Sequence, residues 1–326
     1  MLKKFPGEDP TRQTVATTWR ISIDKIEDQA ARQLLNLLAF FAPDGIQTSW
    51  FAAAAPSLPP PLRQALADNL QYDEIIEEIC RYSLARRKDD SLGLHRLSQE
   101  VIREELGEER EEWRQYALAV LHQQVDSDFS TAEKRARATA LLPHIEAWAS
   151  VSESMSAVGK SAAAGGTGSV FAFAGGVNYA AANYAAALRW YQKALAICEK
   201  VLGKEHPDTA ITYNNIAAVY GRQGDASAAL RWYEKALAIN EKVLGKEHPH
   251  TAASYNNIAG VYDSQGDYAE ALRWYEKAYR IMRRFSENHP NTKTLSNNMK
   301  SAYEKSGNPQ PFDTWLEAAM RQEGKN

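Results

Sequence analysis

Apolar positions recur with a helical period along the C-terminal half of the chain. Four apolar residues of the segment 212–225 follow the spacing i, i+3, i+4 and i+7: Tyr213, Ile216, Ala217 and Tyr220. This spacing places them on one face of a helix, which Gln-Gly-Asp at 223–225 then ends. A second apolar stripe follows at Ala229, Leu230, Tyr233, Ala236 and Leu237. Gly245 and Pro249 are typical of a helix C-terminus, so the pattern predicts a helical hairpin.

The hairpin occurs more than once in the sequence. The segment 187–210, ALRWYQKALAICEKVLGKEHPDTA, is identical to the segment 229–252 at 21 of 24 positions. A third copy, ALRWYEKAYRIMRRFSENHP, begins at Ala271, and the first two copies are 42 residues apart. A fixed period of this size is typical of solenoids that are built from stacked helical pairs.

These repeats resemble the tetratricopeptide repeat. The shared pattern is Tyr-x2-Ile-Ala-x2-Tyr, then Gln-Gly-Asp, then Ala-x3-Tyr-x2-Ala. The period of 42 residues exceeds the family norm of about 34, and the extra residues lengthen the second helix by about two turns. This longer variant, with its LGKEHP turn and paired asparagines, resembles the repeats of kinesin light chains and of many bacterial regulators. The resemblance covers about 168–305, with a worn first helix at 168–181 and a terminal helix at 311–321 around Trp315.

The N-terminal half predicts a different domain. Helical patterns cover the segments 28–41, 61–70, 72–82, 98–106, 108–125 and 131–149. Between the third and the fourth of these, two short runs flank Asp89 and Asp90, which predicts a two-stranded hairpin. The order helix, helix, two-stranded wing and helix is a winged-helix arrangement.

The composition changes abruptly after residue 150. The stretch SVSESMSAVGKSAAAGGTG at 150–168 contains small residues without a helical or strand pattern, which is typical of a flexible linker. We therefore predict a winged-helix domain with an N-terminal tail at 1–125, a connecting helix at 126–150, a flexible linker at 151–167 and tetratricopeptide repeats at 168–326. The predicted fold class is mainly α, a small winged-helix domain followed by an α-α superhelix.

The N-terminal half also has a family resemblance. Four runs between residues 14 and 106 resemble the winged-helix segment of bacterial NB-ARC or STAND proteins: TVATTWRISIDKI, LLNLLAFFAPDGI, ICRYSLARRKD and LGLHRLSQEVIREEL. In that family an NTPase module precedes the winged helix, and repeats follow it. The resemblance therefore implies the sensor arm of a bacterial signalling or defence regulator, with an NTPase module in cis or in trans.

The overall charge does not point to a polyanionic partner. The chain of 326 residues has a formal net charge of −3, which provides no global attraction for nucleic acid or anionic lipid. Its two cysteines, Cys80 and Cys198, are far apart and have no metal-ligand spacing, as in a reduced protein of the cytoplasm. No apolar run approaches the length of a membrane span, so we expect a cytoplasmic chain without a membrane partner.

Motifs for catalysis or cofactor binding lack their context. Gly159, Lys160 and Ser161 end like a phosphate-binding loop, but Ser154 stands where the first glycine is required. Four histidines invite a metal hypothesis: His95, His206, His248 and His289. The last three precede prolines at matching repeat positions, too far apart to share an ion, and we expect them to cap turns. We therefore predict no enzyme, no cofactor and no metal site.

The wing supports an alternative function, a DNA-binding transcription regulator with a repeat sensor. Arg86, Arg87 and Lys88 lie on the predicted wing, where a basic tip would contact phosphates. The helix at 72–82 that should read the bases is rich in acidic residues, which phosphates repel. These acidic side chains count against nucleic acid as a partner.

The paired asparagines are the candidate binding residues. They border the apolar stripe of each first helix, and small neighbours leave their amides accessible. The predicted peptide-binding residues are Asn214, Asn215, Arg222, Asn256, Asn257, Ser264, Asn297, Asn298 and Lys305. An asparagine amide offers a donor and an acceptor, so a column of them complements the backbone of an extended peptide.

The asparagines have a second interpretation that the sequence leaves open. They could bond to one another between adjacent helices and hold the repeats in register. Binding of a terminal carboxylate is excluded, because Ile211, Ala253 and Thr294 stand where carboxylate-clamping repeats carry lysine or arginine. The predicted partner is a protein or peptide in the concave groove, and the predicted function is a protein-binding scaffold.

Overall fold

The computed structural model describes residues 10–151, 162–285 and 290–321. The chain divides into two compact units, one ending at Val177 and the other beginning at Asn178. The helices that precede residue 152 are α1 (Pro10–Asp24), α2 (Gln29–Leu38), α3 (Ser49–Ala54), α4 (Leu62–Ala65), α5 (Asn69–Arg81), α6 (Arg96–Glu105), α7 (Arg110–Gln123) and α8 (Ala132–Ser150). The strands are β1 (Ile46–Gln47), β2 (Ala85–Lys88) and β3 (Ser91–Leu94).

The three strands form one antiparallel sheet in the order β1-β3-β2. Strands β2 and β3 are the predicted hairpin, which turns through Asp89 in the left-handed conformation with φ of 51°. Strand β1 was not predicted, because two residues are too few for a periodic pattern. Gly93 of β3 is required by close approach, since a Cβ there would lie 3.0 Å from the carbonyl oxygen of Pro43.

A side-chain cap accounts for the correction of one predicted helix in the first unit. The predicted helix at 61–70 is wrong, because the chain forms the short α4 and then begins α5 at Asn69. The Asp68 carboxylate accepts hydrogen bonds from the backbone N–H groups of Leu70 and Gln71, which starts the new helix. The other predicted helices are present, although the one predicted at 28–41 ends at Leu38.

The predicted linker at 151–167 is corrected in part. Helix α9 (Ala162–Ala180) includes residues 162–167, while residues 152–161, with the loop-like Gly159, Lys160 and Ser161, lie outside the described residues. The physical reason is burial further along the helix, where Val170 and Ala174 are fully buried. The predicted boundary at 168 thus lies within α9, and the compact units divide after Val177.

The second unit is a series of helical hairpins. Its remaining helices are α10 (Tyr184–Val201), α11 (Pro207–Arg222), α12 (Ala226–Val243), α13 (Pro249–Gln265), α14 (Tyr268–Phe285), α15 (Pro290–Lys305) and α16 (Phe312–Arg321). The worn first helix predicted at 168–181 is α9, which begins six residues earlier. The terminal helix predicted at 311–321 is α16. The prediction of a mainly helical fold with a repeat superhelix is confirmed.

Histidines cap the helices that open the repeats. The Nδ1 atoms of His206 and His248 accept the backbone N–H of Asp208 and His250, each at 3.1 Å. Each histidine precedes the proline at the first helical position, so the predicted capping role is confirmed for both. His289 lies outside the described residues.

The near-identity of the repeats extends to their packing. The rings of Tyr213 and Trp232 lie 5.5 Å apart at 42°, and those of Tyr255 and Trp274 lie 5.6 Å apart at 42°. A lysine ammonium covers each indole, at 4.3 Å for Trp232 and 4.1 Å for Trp274. Consecutive repeats therefore pack through the same arrangement of a tyrosine, a tryptophan and a lysine.

One position distinguishes the repeat junctions. Asn240 is buried and donates from Nδ2 to Ser254 Oγ at 3.0 Å. At the matching positions, Cys198 Sγ and Thr212 Oγ1 lie 3.9 Å apart.

We expect a double-mutant cycle of Asn240→Ala and Ser254→Ala to give a coupling free energy of about 1 kcal/mol, measured by chemical unfolding. The matched cycle on Cys198 and Thr212 should stay within about 0.5 kcal/mol. Equal couplings at the two junctions would contradict the expectation.

Candidate functional site

A cavity opens among the first helices of consecutive hairpins in the second unit. It has a volume of about 490 Å³ and is lined by α11, α13 and α15, with one residue each from α12 and α14. Its lining includes Ile211, Asn214, Asn215, Ala253, Asn256 and Leu295. We call it the asparagine cavity.

The structure brings three of the predicted site residues together in the asparagine cavity. Asn214 and Asn215 reach it from α11, and Asn256 reaches it from α13. The other predicted residues do not line it: Arg222, Asn257, Ser264, Asn297, Asn298 and Lys305. Asn256 and Asn257 differ because adjacent residues on a helix point in directions about 100° apart.

The asparagine amides make few bonds to one another. Asn298 Nδ2 donates to Asn256 Oδ1 at 3.4 Å, which joins α15 to α13. Within the described part of the chain, no side-chain hydrogen bond joins the pair on α11 to the pair on α13, and Asn214 Oδ1 is buried without a hydrogen-bond partner. A role in setting the repeat register is therefore visible at one junction and not at the other.

The predicted charged selectors are engaged within the protein. Arg222 Nε donates to the hydroxyl of Tyr179 at 3.2 Å, and this hydrogen bond raises the pKa of the Arg222 guanidinium. Lys305 Nζ lies 3.0 Å from Asp263 Oδ1. Both contacts join neighbouring first helices near their C-terminal ends. Ser264 Oγ donates to the carbonyl oxygen of Val261 at 2.7 Å.

The apolar half of the cavity was not anticipated from the sequence. Ile211, Ala253, Met282 and Leu295 contribute apolar surface, and Ile211 is 46% exposed. Among the described residues, no Lys, Arg, Asp or Glu lines the cavity. One sequence signal was present, because Ile211 precedes Asn214 by three residues and Asn215 by four and so shares their helix face.

Two of the three basic residues on the predicted wing form ion pairs within the first unit. Arg86 on β2 pairs with Asp44, and Arg87 Nη1 pairs with Asp73 Oδ1 at 2.8 Å. Asp73 belongs to α5, the helix whose acidic residues already counted against DNA. The charges of the two arginines are thus offset within their own unit, and no observation favours the DNA-binding alternative.

Metal clusters and membrane-spanning helices are both absent from the described residues. These residues contain no group of three or more His, Cys, Asp or Glu placed to hold a metal ion, and their two cysteines are free. In the same ranges, no helix combines the length and apolar character needed to cross a bilayer. His95, the fourth histidine, caps α6 by accepting the N–H of Leu97 and stacks on Trp19.

Family comparisons identify the repeats. Residues 169–242 and 222–284 match the tetratricopeptide repeat family, so the predicted repeats are confirmed. Residues 21–111 match a domain of unknown function, DUF7779. No curated protein matches the chain. Tetratricopeptide repeats generally serve as protein-binding scaffolds, and the repeats imply that coarse function for this chain.

Three solved structures are similar to the chain at low sequence identity. BtubC (BKLC) from P. vanneervenii is 16% identical, with 98% of this chain and 94% of that chain covered and a TM-score of 0.45. A kinesin light chain with nearly identical TPR-like repeats from Podosopora anserina is 19% identical, with 67% and 98% covered and a TM-score of 0.42. A Signal Transduction ATPase with Numerous Domains (STAND) protein with a tetratricopeptide repeat sensor from Pyrococcus horikoshii is 13% identical, with 92% and 56% covered and a TM-score of 0.38.

Proposed function

We propose that the repeats bind an extended segment of a partner protein in the asparagine cavity. The observation that carries this proposal is the convergence of Asn214, Asn215 and Asn256 on one open cavity between consecutive first helices. A side-chain amide donates through Nδ2 and accepts through Oδ1, so it matches the C=O and N–H of a peptide bond. Main-chain hydrogen bonds of this kind hold a peptide irrespective of much of its sequence.

We further propose that the chain is the sensor arm of a bacterial STAND-type signalling or defence regulator in the cytoplasm. The first unit supports this with its element order, in which α1, α2, the short strand β1, the three helices α3 to α5 and the β2–β3 hairpin precede α6. A β-hairpin between two helices is compatible with the winged-helix arrangement that the sequence resemblance implies. In such a regulator, binding of the partner would control an NTPase module in cis or in trans.

The peptide-binding proposal predicts that the asparagines in the cavity matter and those outside it do not. A library of random 12-residue peptides displayed on phage is selected on the full chain, and enriched peptides are synthesised with a fluorescent label. Replacing Asn215 and Asn256 together by alanine is expected to weaken their binding at least about tenfold, or about 1.4 kcal/mol, in fluorescence anisotropy. The reason is the loss of two amides that bond the peptide backbone.

The same ladder supplies the matched control. Asn257 and Asn297 are paired asparagines that do not line the cavity, and their replacement by alanine should leave affinity within about twofold. The midpoint of thermal unfolding should change little in either double variant. Equal weakening by both pairs with a loss of stability would assign the asparagines to structure. A selection that enriches no peptide above bare support would overturn the proposed function.

A further inference from the structure

We infer that the asparagine cavity selects an uncharged peptide segment that places a leucine-, methionine- or phenylalanine-like side chain against Ile211. This inference rests on the proposed function and adds the chemical class of the ligand. Two features of the cavity support it: the absence of charged side chains from its described lining, and its exposed apolar surface at Ile211.

The lining offers no partner for a charged ligand side chain. Among the described residues, the cavity is formed by amide, hydroxyl, imidazole and apolar groups without a carboxylate, an ammonium or a guanidinium. A charged side chain that enters it would lose hydration and gain no opposite charge in return. Arg222 and Lys305 lie on two of the lining helices, but they are bonded to Tyr179 and Asp263 and do not line the cavity. The cavity therefore discriminates against acidic and basic segments alike.

The apolar part of the lining offers surface to the side chains of a ligand. Ile211 is exposed on α11, Ala253 leaves space beside it on α13, and Met282 and Leu295 complete the surface from α14 and α15. An isoleucine with 46% exposure in a concave site retains apolar surface that a ligand can remove from water. The unbranched Met282 adapts to side chains of different shape, so several apolar residues are accepted.

The number of helices that line the cavity sets the length of the segment. Packed helices lie about 8–10 Å apart, so the span from α11 through α13 to α15 is about 16–20 Å. An extended chain rises about 3.3 Å per residue, so about five or six residues cross the cavity. The apolar side chain lies near the α11 end, beside Ile211.

The inference is tested with peptides enriched in the phage selection on the full chain. We expect them to share an uncharged stretch of about six residues with an apolar residue, and replacement of that residue by either aspartate or lysine should weaken binding at least about tenfold. On the protein side, Ile211→Asp is expected to weaken the unmodified peptide at least about tenfold. Because the Ile211 side chain is already exposed, the midpoint of thermal unfolding of this variant should change little.

A second exposed apolar residue of the repeats provides the matched control. Val243 ends α12, is 48% exposed and does not line the cavity, so Val243→Asp should leave peptide affinity within about twofold. Peptides that depend on Asn215 and Asn256 but carry central charges, or that bind Ile211→Asp unchanged, would overturn this inference and leave the proposed function standing. Peptides that bind without dependence on the two asparagines would overturn both.

Discussion

Replacing Trp148 with alanine is expected to lower the free energy of unfolding of the first unit by about 3–5 kcal/mol. The indole is 1% exposed and is the largest fully buried side chain described. Its Nε1–H donates to the carbonyl oxygen of Arg114 at 3.0 Å, and its ring lies 5.8 Å from that of Phe171. The Arg114 guanidinium covers the ring at 4.9 Å from its centre. Truncation therefore removes packing on several sides and leaves a buried carbonyl oxygen without its donor.

Chemical unfolding of the full chain, followed by circular dichroism, measures the loss. Trp148→Phe keeps an aromatic ring but removes the indole donor and part of the ring volume, so a smaller loss of about 1–3 kcal/mol is expected. Leu70→Ala is the control, since Leu70 is 69% exposed and its truncation should stay within about 0.5 kcal/mol. A loss below about 1 kcal/mol for Trp148→Ala would contradict this prediction, because it would mean that neighbouring side chains fill the space left by the indole.

Acidification is expected to destabilise the first unit through His144. The side chain is 2% exposed, and burial lowers its pKa to about 4, while a hydrogen bond with the backbone of Gly45 acts in the opposite direction. Its Nδ1 accepts the backbone N–H of Ala42 at 3.2 Å, which only an unprotonated Nδ1 can do. The unfolded pKa of histidine is about 6.5, so the stabilisation is complete above that pH and is lost as the pH falls toward 4.

The size of this effect follows from the difference between the two pKa values. A shift from about 6.5 to about 4 corresponds to a loss of about 3 kcal/mol between neutral pH and pH 4. His144→Asn removes the titrating group and keeps an acceptor oxygen near the position of Nδ1. Unfolding both proteins across this pH range isolates the contribution of His144, because the carboxylates titrate in both. Parallel stability curves for the two proteins would contradict the assignment.

The repeats could be predicted because their periodicity is explicit in the sequence. Each hairpin carries its own stop and start signals, and the His-Pro pairs cap the next helix as their chemistry requires. The helix α9 was missed at its start because Gly165, Gly166 and Gly168 indicate a linker locally. Its stability comes from apolar side chains about a turn further on, such as Val170, and local composition does not report that burial.

The candidate site could be predicted only in part for a geometric reason. The paired asparagines mark one side of each first helix, but the exact rotation of the helices decides which member of a pair lines a cavity. Asn215 and Asn256 line it, while Asn257, the counterpart of Asn215 one repeat later, does not. Arg222 and Lys305 were predicted to select the ligand because of their sequence positions on the first helices. The sequence does not show that residues on neighbouring helices bond to both of them.

The matching ring geometry at Tyr213 and Tyr255 has a consequence for how such a chain can evolve. Each hairpin packs on its neighbours through nearly the same surfaces. A duplicated block of 42 residues would therefore pack between existing hairpins through the same contacts, without a new interface. Unequal crossing-over within the coding sequence could thus add or remove a hairpin while the terminal helices stay in place. Each added or lost hairpin would then change the length of the bound segment by about three residues. The length of segment that the protein binds would thus depend on the number of hairpins rather than on individual side chains.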